Sequence, residues 1–224
     1  MKAPIALALD APNLQKVQEW ATAAAPAVDV LKIGLEVFLR DGQAAIDVVK
    51  QTDCKLFLDL KLHDIPNTVK GASESVARFN PDFLTVHASG GPAMIAAAAS
   101  ALPNTKITAV TILTSMSPSD LTAVGFEKSA QELAVRMAKM AVEAGARAIV
   151  CSPHEVSAIR AAVPNDITLI TPGVRPIGAD VADQSRVATP QEAIANGANI
   201  VVIGRPITGA EDIHKAAMEI AASL

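Results

Sequence analysis

The sequence predicts a single (β/α)8 barrel, a TIM-type α/β fold, spanning residues 1–224. Three observations carry that expectation. Short apolar runs alternate with helical stretches eight times, which argues a parallel sheet with crossover helices. Eight such units fit a compact barrel of this length. The residues that close each apolar run are polar or glycine, whereas those that open it are plainer. In barrels of this kind the active site lies at the carboxyl ends of the strands. An open doubly wound sheet is the alternative. Against it, Asp10-Ala11-Pro12-Asn13 follows the first strand where such a sheet would carry a glycine-rich dinucleotide turn.

The elements follow from apolar periodicity and punctuation. Strands are expected at Ile5–Leu9, Val28–Ile33, Lys55–Leu60, Phe83–His87, Lys106–Ile112, Ala148–Cys151, Thr168–Thr171 and Ile200–Ile203. Helices are expected at Leu14–Ala25, Leu35–Gln51, Asn67–Phe79, Pro92–Ala101, Ala130–Ala144, Pro153–Ala162, Pro190–Asn196 and Glu211–Ala222. A polar loop, Pro172–Thr189, is long enough to act as a lid. No linker, low-complexity tract or composition shift marks a second domain.

Composition removes several classes of function. The net charge of −4 and the scarcity of aromatics, with five Phe, one Trp and no Tyr, give neither a basic face nor a stacking platform for nucleic acid. No stretch approaches the ~20 apolar residues of a membrane span. The Pro4–Leu9 run is too short for a secretory leader and is interrupted by Asp10. Cys54 and Cys151 lack metal or redox spacing, which fits a reducing compartment. The expectation is a cytoplasmic protein.

The chemistry concentrates in Phe57-Leu58-Asp59-Leu60-Lys61-Leu62-His63-Asp64-Ile65-Pro66-Asn67-Thr68. Strand alternation places Asp59 and Lys61 on one face and Leu58, Leu60 and Leu62 on the other. Charges are costly to bury unless paired, so an inward Asp and Lys side by side suggest a reaction site. A structural ion pair is the plainer explanation for this stretch alone. Pro66 suits the first turn of a helix. Lys32, at the end of the second strand, points to the same rim. Carboxylates beside a lysine keep it an ammonium, a proton donor and electrostatic stabiliser rather than a Schiff-base nucleophile. Lys32 reaching out to water at the barrel mouth is the alternative.

Gly173, Arg175, Gln184, Gly204 and Arg205 look like a phosphate site, since barrels often bind phosphate in the loops after strands seven and eight. Gly204 lets the backbone approach an anion, and Arg205 offers a fork of donors. His63, His87, His154 and His214 show no metal-ligand spacing. Asp59 and Asp64 could hold Mg²⁺, but a nearby lysine would compete for their oxygens. Ser115 and Ser117 lack an evident histidine base, so a hydrolase triad is poorly supported.

The stretch Asp59–Thr68 resembles the signature of the orotidine 5′-phosphate decarboxylase family. Ala8-Leu9-Asp10, Leu31-Lys32-Ile33-Gly34, Val86–Gly91, Leu113–Met116, Thr171–Pro176 and Val202–Pro206 agree in the family's order. The Asp-x-Lys-x-x-Asp core is shared with sister sugar-phosphate enzymes. The His63–Thr68 continuation and the Pro172-Gly173-Val174-Arg175 loop are more specific.

The resemblance implies a (β/α)8 barrel, usually a homodimer, that converts orotidine 5′-phosphate to uridine 5′-phosphate and CO₂ in the last step of pyrimidine nucleotide synthesis. It implies no metal and no organic cofactor. Lys61 matches the catalytic lysine, and Lys32, Asp59 and Asp64 match its charged network. Asp64 and Thr68 would reach the neighbouring subunit's site. Asp10 matches a ribose contact, Thr114 lies in the pyrimidine-contact segment, and Ser117 is a further base contact. Arg175, Gln184, Gly204 and Arg205 match phosphate and lid positions. One rival is a Mg²⁺-dependent sugar-phosphate decarboxylase or aldol-type synthase on the same barrel. A second is a non-catalytic nucleotide-phosphate binder, which would have no need of Lys32, Asp59 and Lys61.

Overall fold

The structure, a computed structural model, describes residues 2–175 and 188–224. Eight parallel strands close into a barrel in sequence order. They are β1 (Ala3–Ala8), β2 (Val28–Gly34), β3 (Lys55–Leu62), β4 (Phe83–His87), β5 (Lys106–Val110), β6 (Ala148–Val150), β7 (Thr168–Thr171) and β8 (Ile200–Ile203). The helices are α1 (Leu14–Ala24), α2 (Leu35–Asp41), α3 (Gln43–Lys50), α4 (Pro66–Val76), α5 (Pro92–Ala101), α6 (Pro118–Ala123), α7 (Ala130–Glu143), α8 (Val156–Ala162), α9 (Pro190–Ala195), α10 (Arg205–Thr208) and α11 (Ile213–Ala222). Among the described residues, no helix is long and apolar enough to cross a membrane.

Strand alternation divides the apolar residues into two cores. One is a plug inside the barrel, built from Ala6, Val30, Phe57, Phe83, Ala148, Ile170 and Ile200. The Phe57 and Phe83 rings meet there at 5.6 Å between centroids. The other is the larger shell between strands and helices, containing Leu7, Leu31, Ile33, Leu58, Leu84 and Ile149. The plug closes the barrel's lower half, so inward side chains nearer the carboxyl ends line an open mouth rather than a pore.

The structure departs from the expected elements in four places. The helix read as Leu35–Gln51 breaks at Gly42, whose φ of +54° ends α2 and starts α3. L-residues with a Cβ disfavour that backbone region, and glycine does not. The connection after β5 carries α6, whose first turn is closed by a reciprocal Ser117–Asp120 capping box. A further short helix, α10, starts directly after Gly204.

The fourth departure is in β3. Leu58 pairs with Leu84, yet Leu62 pairs with Val86, so four steps on β3 oppose two on β4. Lys61 sits inside this bulge at φ +49°. The expected alternation of faces survives the shift, with Leu58, Leu60 and Leu62 in the shell and Asp59 and Lys61 on the cavity side. Asp59 and Lys61 still converge, but a bulge aims the lysine.

Candidate active site

A cavity of about 360 Å³ opens above the plug. Its wall carries Asp10 from β1's end, Lys32 from β2, Asp59 and Lys61 from β3, Thr114 after β5, Gly173 and Arg175 after β7, and Gly204, Arg205 and Thr208 after β8. Val110, Ile112, Val150 and Val202 give it an apolar side. A volume in this range with a few convergent polar groups is the usual form of a small-molecule site. A wider depression of about 850 Å³ runs along the solvent face of α7. Its charged residues include the surface pair Lys128–Glu132, at 3.6 Å.

The polar centre is a chain of charges. Asp59 Oδ2 accepts from Lys61 Nζ at 2.8 Å and from Lys32 Nζ at 3.1 Å. Lys32 Nζ lies 3.7 Å from Asp10 Oδ1. Lys32 is 7% exposed and Asp59 8%. Burial works to raise the Asp59 carboxyl pKa, but the two ammonium groups outweigh it and hold the pKa below the ordinary carboxylate value. Asp59 is therefore an anion at neutral pH. Lys61, Asp59, Lys32 and Asp10 thus form a row of alternating charges in which each ammonium has a carboxylate beside it.

The close approach of Asp10 and Lys32 depends on Gly34. A Cβ there would stand 2.9 Å from Asp10 Oδ1 and 3.2 Å from Lys32 Nζ. Gly34's φ of −88° is open to any residue, so its constraint is space and not backbone conformation. Across the mouth, Gly204 turns the chain into α10, and Arg205 lies in that helix's first turn. The Arg175 backbone N–H is tied to the Ala188 carbonyl, and its side chain donates to the Val174 carbonyl at 2.8 Å.

The residues read from the sequence divide into four groups. Asp10, Lys32, Asp59, Lys61, Thr114, Arg175, Gly204 and Arg205 share the cavity. Asp64 and Thr68 are exposed and do not line it. The Asp64 carboxylate accepts from the Ile65 N–H at 2.6 Å. Ser117 also stands off the cavity wall. Its hydroxyl caps α6 and lies 2.7 Å from Asp120 Oδ2. Gln184 lies outside the described residues. Among the described residues, no three His, Cys, Asp or Glu side chains gather to hold a metal ion.

Sequence reasoning missed Thr208, Gly34 and the buried Thr85. Thr208 is three residues past Arg205 on a helix too short to show a period. Gly34 stood in view within Lys32-Ile33-Gly34, but its role depends on which side chains cross above it.

A parallel barrel with a lysine–carboxylate chain and an arginine-bearing turn at its carboxyl-end mouth defines a (β/α)8-barrel enzyme. The family model described as orotidine 5′-phosphate decarboxylase / HUMPS family matches residues 3–220, and the chain belongs to that family. It is 56% identical to the orotidine 5′-phosphate decarboxylase of Thermobifida fusca strain YX, covering all of this chain and 97% of the relative. It is 50% identical to the protein of that name from Anaeromyxobacter sp. strain K, covering 98% of this chain and 97% of the relative. The crystal structure of orotidine 5′-phosphate decarboxylase from Lactobacillus acidophilus superposes with a TM-score of 0.86 at 34% identity, covering 99% of this chain and 98% of that one.

Proposed function

We propose that this chain decarboxylates orotidine 5′-phosphate to uridine 5′-phosphate and CO₂, the last step of pyrimidine nucleotide synthesis, with neither metal nor organic cofactor. The observation that carries the reading is the chain Lys32–Asp59–Lys61, joined at 3.1 and 2.8 Å, in one cavity with Arg175, Gly204 and Arg205.

Breaking the bond between the ring carbon and the carboxylate leaves an electron pair on that carbon, in an orbital the ring π system cannot delocalise. The protein has to supply the stabilising charge. Lys61, an ammonium held by Asp59, faces the developing carbanion and then donates a proton to it; solvent reprotonates the amine. This is preorganised electrostatic stabilisation combined with general-acid catalysis. Asp59 sits beside the departing carboxylate and keeps Lys61 in place. Lys32 braces Asp59 from the other side and reaches toward Asp10, which takes the ribose. Thr114 contacts the pyrimidine. Arg175, Gly204 and Arg205, together with Gln184, take the phosphate, whose remote binding energy supports the transition state. Ser117 would contact the base only on leaving its helix cap.

The working form is a homodimer in which Asp64 and Thr68 enter the neighbouring cavity. Their exposure outside their own cavity supports this, as does the apolar side chain of Ile65 beside Asp64, 66% exposed. The setting is cytoplasmic.

The test is ultraviolet-monitored turnover of orotidine 5′-phosphate by the purified protein in EDTA. Loss of substrate absorbance with uridine 5′-phosphate formed is the expected result. Inactivity, or activity restored only by Mg²⁺, would move the chain to the sugar-phosphate members of the barrel.

A further inference from the structure

Lys61 reaches its place through an unfavourable backbone. Its φ of +49° is unusual for a residue with a side chain. Such conformations cost of order 1–3 kcal/mol and persist only where the surroundings over-determine them. The bulge also deprives Lys61 of a regular ladder partner on β4. A buried N–H left without a partner would add to the cost.

One side chain answers both problems. Thr85 on β4 is fully buried. Its Oγ1 accepts from the Lys61 backbone N–H at 2.8 Å and donates to Asp59 Oδ1 at 3.1 Å. Both lysine ammoniums use the other carboxylate oxygen, Oδ2. The Thr85 hydroxyl thus fixes the carboxylate oxygen that the lysines leave alone, and through it the direction in which Oδ2 faces them. Thr85 does not line the cavity, so it has no route to the substrate.

We infer that Thr85 is a positioning residue for the decarboxylation: its hydroxyl pins the β3 bulge and the Asp59 carboxylate, and so aims Lys61 Nζ at the reacting carbon. The inference rests on the decarboxylase reading above. A threonine that only filled space would be replaceable by any side chain of its size.

The experiment compares Thr85→Val, which keeps the shape and loses the hydroxyl, with Thr85→Ser, which keeps the hydroxyl. Thr85→Ala is the second hydroxyl-free variant. Turnover of orotidine 5′-phosphate, affinity for uridine 5′-phosphate and the melting temperature are measured for each. The hydroxyl-free variants should lose about tenfold to a hundredfold in kcat, the worth of a hydrogen bond to a charged group expressed in the transition state. Their affinity for uridine 5′-phosphate should stay within about threefold, because the ribose and phosphate contacts are untouched, and Thr85→Ser should keep most of the wild-type kcat.

Equal kcat in Thr85→Val and Thr85→Ser would overturn the inference. So would parallel losses of kcat and product affinity in all three variants, or a failure of both hydroxyl-free variants to fold, since each assigns Thr85 to the architecture alone. A wild-type protein without turnover would overturn the decarboxylase reading, and this inference with it. An active wild type matched by Thr85→Val overturns this inference only.

Discussion

Gly34→Ala adds one methyl group at the point where the charge chain is tightest. The backbone accepts it, since φ is −88°. The methyl carbon would start 2.9 Å from Asp10 Oδ1 and 3.2 Å from Lys32 Nζ, against ordinary contacts of 3.4 Å or more. Asp10 must therefore retreat by about half an ångström, and Lys32 by a few tenths. Lys32 Nζ is 3.1 Å from Asp59 Oδ2, so its retreat loosens the brace on the carboxylate that holds Lys61. A 1 Å misplacement in a catalytic site can cost about a hundredfold, so half of that predicts roughly a tenfold loss in kcat/KM. Stability should hardly move, because both displaced atoms are ends of flexible side chains and the Asp10 side chain, which moves more, is half exposed. A Gly-to-Ala exchange at an allowed backbone position also removes unfolded-state entropy. The assay is steady-state turnover alongside thermal unfolding. A variant with wild-type kcat/KM would refute the idea that Gly34 keeps space for the Asp10–Lys32 approach. A variant that unfolds much earlier would place the role of Gly34 in the fold instead.

Three further outcomes follow from the same geometry. Mixing Lys61→Ala with Asp64→Ala subunits, each weakly active alone, should restore turnover, because in the proposed dimer a hybrid would hold one site with both residues intact; a mixture no better than the sum of its parts would remove Asp64 from the partner's site. Burial lowers the His87 pKa, the positive charges of His63 and Lys61 add to that, and Asp59 opposes it in part. The unfolded chain then takes up the His87 proton first on acidification, so stability should decline as pH falls below about 6.5, and Asp59, also lowered in the fold, should extend the decline below about 4. A His87→Asn variant should flatten the upper part of this profile in urea unfolding at pH 7 and pH 5, and an unchanged slope would contradict the assignment. Phe83→Ala, which empties one half of the aromatic pair in the barrel plug, should destabilise by about 3–5 kcal/mol in equilibrium denaturation; a loss under about 1 kcal/mol would mean the plug collapses freely around the gap.

Much of this architecture was legible because barrel strands announce themselves twice. Their apolar runs are punctuated by helices, and their carboxyl ends carry the polar residues. Asp10, Lys32, Asp59, Lys61, Thr114, Arg175, Gly204 and Arg205 fall on one rim by sequence pattern and resemblance, and they meet around one cavity. The local backbone was less legible. The bulge at Lys61 leaves no glycine or proline as a marker, because a neighbouring strand's hydroxyl stabilises it. Period-two alternation gave the right faces for Asp59 and Lys61 but not the register shift between them and β4. Gly42 did stand in the sequence, but a single glycine inside a helical pattern is as often tolerated as helix-ending. Ser117 was matched to a base contact through the family resemblance, and the helix start that its Ser-Pro-Ser-Asp spacing to Asp120 signals was passed over. Asp64 and Thr68 illustrate a different limit: they are exposed and do not line their own cavity, and the role proposed for them needs a second copy of the chain.

The central claim is that Lys61 acts on the reacting carbon while the arginine-bearing turn holds a remote phosphate. Steady-state kinetics of Lys61→Ala beside Arg205→Ala test it most directly. Lys61→Ala should lose at least about a thousandfold in kcat, since it removes both the stabilising charge and the proton donor. Arg205→Ala should show its larger effect in KM, with far more of its kcat retained. A Lys61→Ala enzyme with near-normal kcat, and a kcat/KM loss no greater than that of Arg205→Ala, would contradict the account.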